Sequence, residues 1–325
     1  MSEPVDDPRA AFVEACVGHG SLERAAAILA AHPEVASSDI HIAAILGDDA
    51  AVRRFLELDA GQATAKGGPR GWDALTYLCF SRYLRLDRAR SDGFVRAARA
   101  LLDAGASANT GFFDISHKPE PEWEPVLCGA AGVAHHAEMT RLLLERGANP
   151  NDEEVVYYTP ESYDNAALKL LVQTGKLTDD SLALMLVREL VADGGQVLAE
   201  FAGNGNTNGV GHLLDLGVDV GAVFKEGDGY WDIAKDSTAL HAAAWRARHA
   251  TVKLLIERGA AVNVPDGKGR TPSGLAVRAC VDSYWSDRRS PESVAALLRG
   301  GASVAGVVFP SSYAEVDELL RSHFN

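Results

Sequence analysis

Leu255-Ile256-Glu257-Arg258-Gly259-Ala260 is the stretch on which the fold turns, because the chain keeps repeating it. The same phrase reads Leu101-Leu102-Asp103-Ala104-Gly105-Ala106, Leu143-Leu144-Glu145-Arg146-Gly147-Ala148, Leu213-Leu214-Asp215-Leu216-Gly217 and Leu297-Leu298-Arg299-Gly300-Gly301-Ala302. Its glycines stand at 105, 147, 217, 259 and 301, so three intervals are 42 residues and one is 70. A weaker copy, Leu171-Val172-Gln173-Thr174-Gly175, divides the long interval into 28 and 42. Recurrence every few tens of residues is the signature of a stacked solenoid, in which each unit buries its apolar face only against its neighbours.

Residues 238–263 give the clearest unit. Thr238-Ala239-Leu240-His241 opens a helix, and Ala242, Ala243 and Ala244 keep it thin. Thr251-Val252-Lys253-Leu254-Leu255-Ile256 supplies a second apolar face, and Gly259 ends that helix because glycine takes positive φ without strain. Thirty-three residues after Thr238 comes Thr271-Pro272, followed by Leu275-Ala276. The chain therefore resembles the ankyrin-repeat family, whose unit of about 33 residues carries T-P-L-H-x-A between a β-turn and two antiparallel helices. The resemblance implies an all-α solenoid of about eight helix-turn-helix units with elongated loops and fingers, spanning 1–325. Residues 1–66 read as atypical N-terminal repeats of the kind found in bacterial members, and 71–151 as repeats with insertions. Residues 152–220 are an irregular middle, 236–304 the best matches, and 309–325 a closing helix. Within the middle, 181–190 reads equally as an inner helix or as an outer helix paired with 165–172. The run 203–209 reads as a helix-to-helix turn, since its Gly and Asn suit positive φ.

A net charge of −14 over 325 residues argues against a duplex nucleic-acid partner and permits a basic or mixed protein partner. No apolar run reaches the roughly 18 residues of a membrane span. The acidic start is unlike a secretory signal, so a cytoplasmic location is expected. Cys16, Cys79, Cys128 and Cys280 form no C-x-x-C pair and are expected as free thiols on inner helices. No cofactor and no metal site is expected, since the neighbouring His135 and His136 do not face one another. The resemblance implies a structural role for His241, a hydrogen bond to backbone between units.

The 42-residue interval exceeds 33 by nine, and insertions in a regular scaffold are where function is usually grafted. Residues 82–90 and 281–289 lengthen the turn between helices of one unit; 112–124, 152–164 and 221–236 fall in the finger position between units. These inserts hold aromatics beside charges, and Trp and Tyr with Arg commonly anchor interfaces. The partner-binding candidates are Trp72, Trp123, Tyr158, Tyr230, Trp231, Trp245, Tyr284, Trp285 and Arg288. The competing reading has each aromatic pinning its own loop. Arg82, Arg85, Arg88 and Arg90 form a basic patch expected to pair with Asp87 and Asp92. The first functional expectation is a protein-interaction module, monomeric and non-catalytic, for a peptide or protein of unknown identity. The alternative is a small-molecule binder or enzyme using His117, Asp164, Asp232 and His241 as acid/base groups.

Overall fold

Each Leu-Leu-x-x-Gly-Ala phrase is the last turn of a helix. At Gly105, Gly147, Gly217, Gly259 and Gly301 φ lies between 85° and 103°. The following N–H then reaches back to the leucine five residues earlier, as from Ala106 to Leu101 (3.0 Å) and from Ala260 to Leu255 (2.9 Å). That 6→1 closure satisfies a carbonyl the helix leaves open and turns the chain toward the next unit. After Gly105 and Gly259 an asparagine four residues on ties down the unit that follows. The Asn263 amide donates to the Gly301 carbonyl (3.0 Å) and accepts from the Ser303 N–H (2.7 Å). Asn109 makes the same pair of bonds with Gly147 and Asn149.

The computed structural model describes residues 7–116, 119–161, 164–191, 207–283 and 289–324. Two units are distinguished: Met1–Thr159 with Ala166–Thr174, and Pro160–Asn165 with Gly175–Asn325. Among the described residues the first contains five inner and five outer helices. The inner helices are Pro8–Cys16, Ile40–Leu46, Ala74–Cys79, the segment Val126–Cys128 continued by the π-helical turn Gly129–Val133, and Glu153–Tyr158. The outer helices are Leu22–Ala31, Asp49–Leu58, Ser91–Asp103, Ala137–Glu145 and Ala166–Gln173. In the second unit, inner Asp179–Val191, Ala239–Trp245 and Pro272–Val281 pair with outer Thr207–Asp215, His249–Glu257 and Glu292–Arg299; Ala314–Arg321 closes the stack. Residues 181–190 thus belong to an inner helix. Asp179–Val191 packs on the inner helix Ala239–Trp245 and on its own outer partner, Thr207–Asp215. Residues 203–206 lie outside the described residues, and Thr207, Asn208 and Gly209 already belong to the outer helix rather than to a turn.

Burial follows helix type. Every residue of Ile40–Leu46, Ala74–Cys79 and Ala239–Trp245 is buried, whereas Ser91–Asp103 buries one stripe: Phe94, Ala97, Ala98, Leu101 and Leu102. The π-helical turn is closely packed. A Cβ on Gly129 would stand 2.9 Å from the Cys79 carbonyl oxygen, and one on Gly132 would stand 2.6 Å from Cβ of Tyr158. Backbone there packs directly between the inner helices on either side.

The basic patch holds layers together. Arg82 donates to the Gly18 carbonyl (2.9 Å), Arg88 to that of Ala134 (3.2 Å), and Arg90 to that of Leu46 (3.1 Å) while pairing with Asp87 (3.0 Å).

Gly259→Ala is expected to destabilise the protein by about 1–2 kcal/mol, because alanine resists positive φ. Gly211→Ala is expected to be neutral or to stabilise by up to about 1 kcal/mol: its helical backbone is ordinary and a Cβ meets only Leu254, at 3.8 Å. Paired denaturant titrations check both signs.

Candidate functional site

The finger of the first unit is a two-stranded hairpin, Gly111–Asp114 against Glu122–Pro125, which sets Phe113 opposite Trp123. Alternation splits the two phenylalanines between faces. Phe112 turns inward and stacks on Trp72 (4.1 Å between centroids), which also meets Tyr77 and Phe80. Phe113 turns outward, 61% exposed, edge-on to Trp123 at 4.9 Å. Trp72 is thus buried at 7% exposure and does not offer its ring to a partner. It pins the finger to the scaffold, the loop-pinning reading rather than the partner-binding one.

Strand Glu122–Pro125 packs on helix Glu153–Tyr158. Where a finger insert is expected over 152–164, Glu153–Tyr158 form an inner helix, whose Glu154 is only 6% exposed. Burial, reinforced by the charges of Glu124 and Glu122, pushes the Glu154 carboxyl well above the usual carboxylate range. Burial likewise raises Glu124 and Asp152. Tyr158 is half-buried, edge-on to Tyr157 at 5.0 Å.

In the second unit the finger runs from Val223–Phe224 back to Ser237–Thr238. Its tip exposes Tyr230 (86%) beside the half-buried Trp231. The Arg246 guanidinium lies 4.3 Å over Trp231, and Arg278 lies 4.5 Å over Trp245. Trp245 is buried, and its indole N–H donates to the Trp231 carbonyl (2.9 Å). Like Trp72 it braces a finger and is not a partner contact. Asp232 accepts from Lys268 (2.7 Å), Arg270 (3.1 Å) and Arg278 (2.9 Å). Burial opposes its ionisation, but hydrogen bonds from Lys268 and Arg278 and the charge of Arg270 outweigh it and hold the carboxyl below its ordinary value.

His241 has both ring nitrogens engaged. Nδ1 accepts from the Thr238 N–H (3.1 Å), which leaves Nε2–H to donate to the Val264 carbonyl (2.9 Å). His41 makes the corresponding bond to Ala65 (3.1 Å). Burial lowers the pKa of His241, keeping the imidazole neutral. Asp232 and His241 are thus committed to structure, and Asp164 lies exposed. A cavity of about 390 Å³ opens beside helix Pro272–Val281, but neither Asp164, Asp232 nor His241 lines it. His117, Tyr284, Trp285 and Arg288 lie outside the described residues. All four cysteines are free and buried, as expected; burial pushes Cys16 up to about 12 and the others upward too. Among the described residues no group of three or more His, Cys, Asp or Glu side chains is placed to hold a metal. No helix there is long and apolar enough to cross a membrane.

Arg246, Arg270, Arg278 and Glu154 matter here and were not legible as site residues. The one available signal was two acids, Glu153-Glu154, directly before Val155-Val156, a sequence that resembles a polar loop more than an inner helix.

The ankyrin-repeat family model matches residues 235–267. The chain is similar to the human ASB11 ankyrin repeat domain, with TM-score 0.51 and 19% identity over 80% of this chain and 96% of that one. It is also similar to the ankyrin repeat domain of Bcl-3, described as a member of the IkappaB family, with TM-score 0.54 and 17% identity over 80% and 97%. Among curated proteins it is similar to serine/threonine-protein kinase 12 of Arabidopsis thaliana, 38% identical over 85 residues, which is 26% of this chain and only 17% of the kinase. The fold is the ankyrin-repeat fold.

Because Glu154 is raised, its protonated form stabilises the folded state below the unfolded value of about 4.3, and that contribution is lost as pH climbs through the raised value. Glu154→Gln is expected to flatten the fall of Tm with rising pH. Thermal melts of both proteins from acid through neutral into alkaline pH, spanning the unfolded and the raised value, check it.

Proposed function

We propose that this chain is a protein-interaction module that grips a partner protein or peptide with its fingers and the inner helices beneath them. The observation that carries this is the split within each finger: one aromatic anchors inward and another is held out to solvent. Phe113 and Tyr230 are 61% and 86% exposed on hairpins pinned by Trp72 and Trp245. A rigid, presented aromatic buries large area on contact at low entropic cost. Asp114, Glu122 and Glu124 alternate onto the inward face with Phe112, so the presented pair Phe113 and Trp123 favours an apolar partner side chain. The ankyrin-repeat fold of the similar structures supports the reading. The commitment of Asp232 and His241 to structural bonds weighs against the acid/base alternative. Four free buried thiols support a reducing, cytoplasmic location. The atypical first two repeats support a bacterial-type member.

Phe113→Ala with Trp123→Ala is expected to abolish capture of a native partner in a pull-down while leaving helical circular dichroism unchanged. A captured set identical to that of wild type, or no specific capture by either protein, would overturn the proposal.

A further inference from the structure

The finger of the first unit is a two-stranded ribbon, and an antiparallel ribbon alternates between residue pairs that exchange backbone bonds and pairs that turn those groups outward. The Val126 N–H donates to the Thr110 carbonyl (2.9 Å), one step beyond the pair Gly111 and Pro125. Counting on from there, Phe112 with Glu124 and Asp114 with Glu122 are bonded pairs, and Phe113 with Trp123 is an open one. The N–H and C=O of Phe113 therefore point out along the first strand, and those of Trp123 out along the second. The second strand is protected: it carries Pro125, which has no N–H, and it packs on helix Glu153–Tyr158.

The first strand is not protected in this way. Gly111 at its base is buried, but Phe113 and Ile115 are 61% and 75% exposed. The preceding finger is shorter: its turn closes at Gly67 with Trp72, and that Trp72 stacks on Phe112 near the base. In the second unit the equivalent place is filled. Counting eight residues from the closing glycines, Gly267 corresponds to Phe113, and the Gly267 N–H donates to the Lys235 carbonyl of the finger before it (2.8 Å). Among the described residues the Phe113 N–H has no such acceptor. An exposed edge with open backbone groups, and with neither proline nor lysine in Gly111–Asp114, is a template for another strand. An added strand alternates as the ribbon does. One set of its side chains falls beside Phe113, the other on the face of Phe112 and Asp114, where the charges acting on Glu124 are those of Asp114, Glu122 and Asp152, all acids. We propose that the edge at Phe113 takes an extended segment of a protein partner as a third strand, with apolar residues beside Phe113 alternating with basic ones. Backbone bonds supply affinity in such an addition and alternate side chains supply choice. A second copy of this chain would set an acidic edge against its own image, which like charge opposes. The inference rests on the interaction-module reading and gives it a binding mode.

The probe is a fluorescein-labelled hexapeptide alternating Lys and Val, with anisotropy read on the full chain, beside two versions N-methylated at every valine or at every lysine. Only one set of its N–H groups can face the edge. One methylated peptide is therefore expected to bind about tenfold or more weakly than the parent and the other to match it. Loss with the methylated valines marks an antiparallel strand, since the residue opposite Phe113 then shares its face and exchanges both bonds with it. The Phe113 amide hydrogen, followed by NMR on the unmodified protein, should exchange at least about tenfold more slowly with the parent peptide bound. A hexapeptide alternating Glu and Val should bind at least about tenfold more weakly than the parent. Equal affinity of the two methylated peptides, no parent binding at millimolar concentration, an unprotected Phe113 amide, or a glutamate peptide bound as tightly would overturn the assignment. If the pull-down partner is still lost from the Phe113/Trp123 variant, such a result removes the added strand and leaves the interaction module standing.

Discussion

The structure depends on a backbone hydrogen bond: the N–H after a positive-φ glycine closing onto a leucine carbonyl five residues back. Only a residue that tolerates φ near 90° stops the outer helix at that point and aims the chain into a finger. Because the leucine whose carbonyl accepts is also a core residue, ending the helix and burying its stripe are one event. The phrase recurs because each unit must solve the same geometric problem.

What was legible in the sequence was therefore what is local. Gly259, the thin alanine helix and the structural histidine announce themselves within a few residues. The middle of the chain did not, since Glu153 and Glu154 give an inner helix the composition of a loop, and what buries Glu154 includes a strand some thirty residues earlier. The aromatics were harder still. Phe112 and Phe113 are adjacent and chemically equal; which one is presented depends on strand pairing with Trp123 and on the position of Trp72 forty residues away. Trp245 was readable as an inner-helix residue, but not the carbonyl its indole would reach.

Two acidic residues show how environment sets the role of a carboxyl. Asp232 is held below its ordinary range by three cations around a finger tip, and Glu154 is held above it by burial among other acids. The first gives a finger a fixed conformation at neutral pH, with Asp232 itself in the left-handed region (φ 53°). The second joins a finger to a helix by a contact whose strength depends on a proton.

The asparagine clamp has a consequence for how long such a chain can grow. Asn263 recognises two backbone groups of the following unit and no side chain, so it imposes almost no sequence requirement on its successor. Units joined this way behave like monomers with a universal coupling end, and duplication of one within the array meets little resistance. Ala305 stands at the corresponding place in the last repeat and has no amide to offer. Gly221 holds that place after Gly217 and has none either, yet further repeats follow it, so the clamp is one means of joining units and turn geometry with helix packing is another.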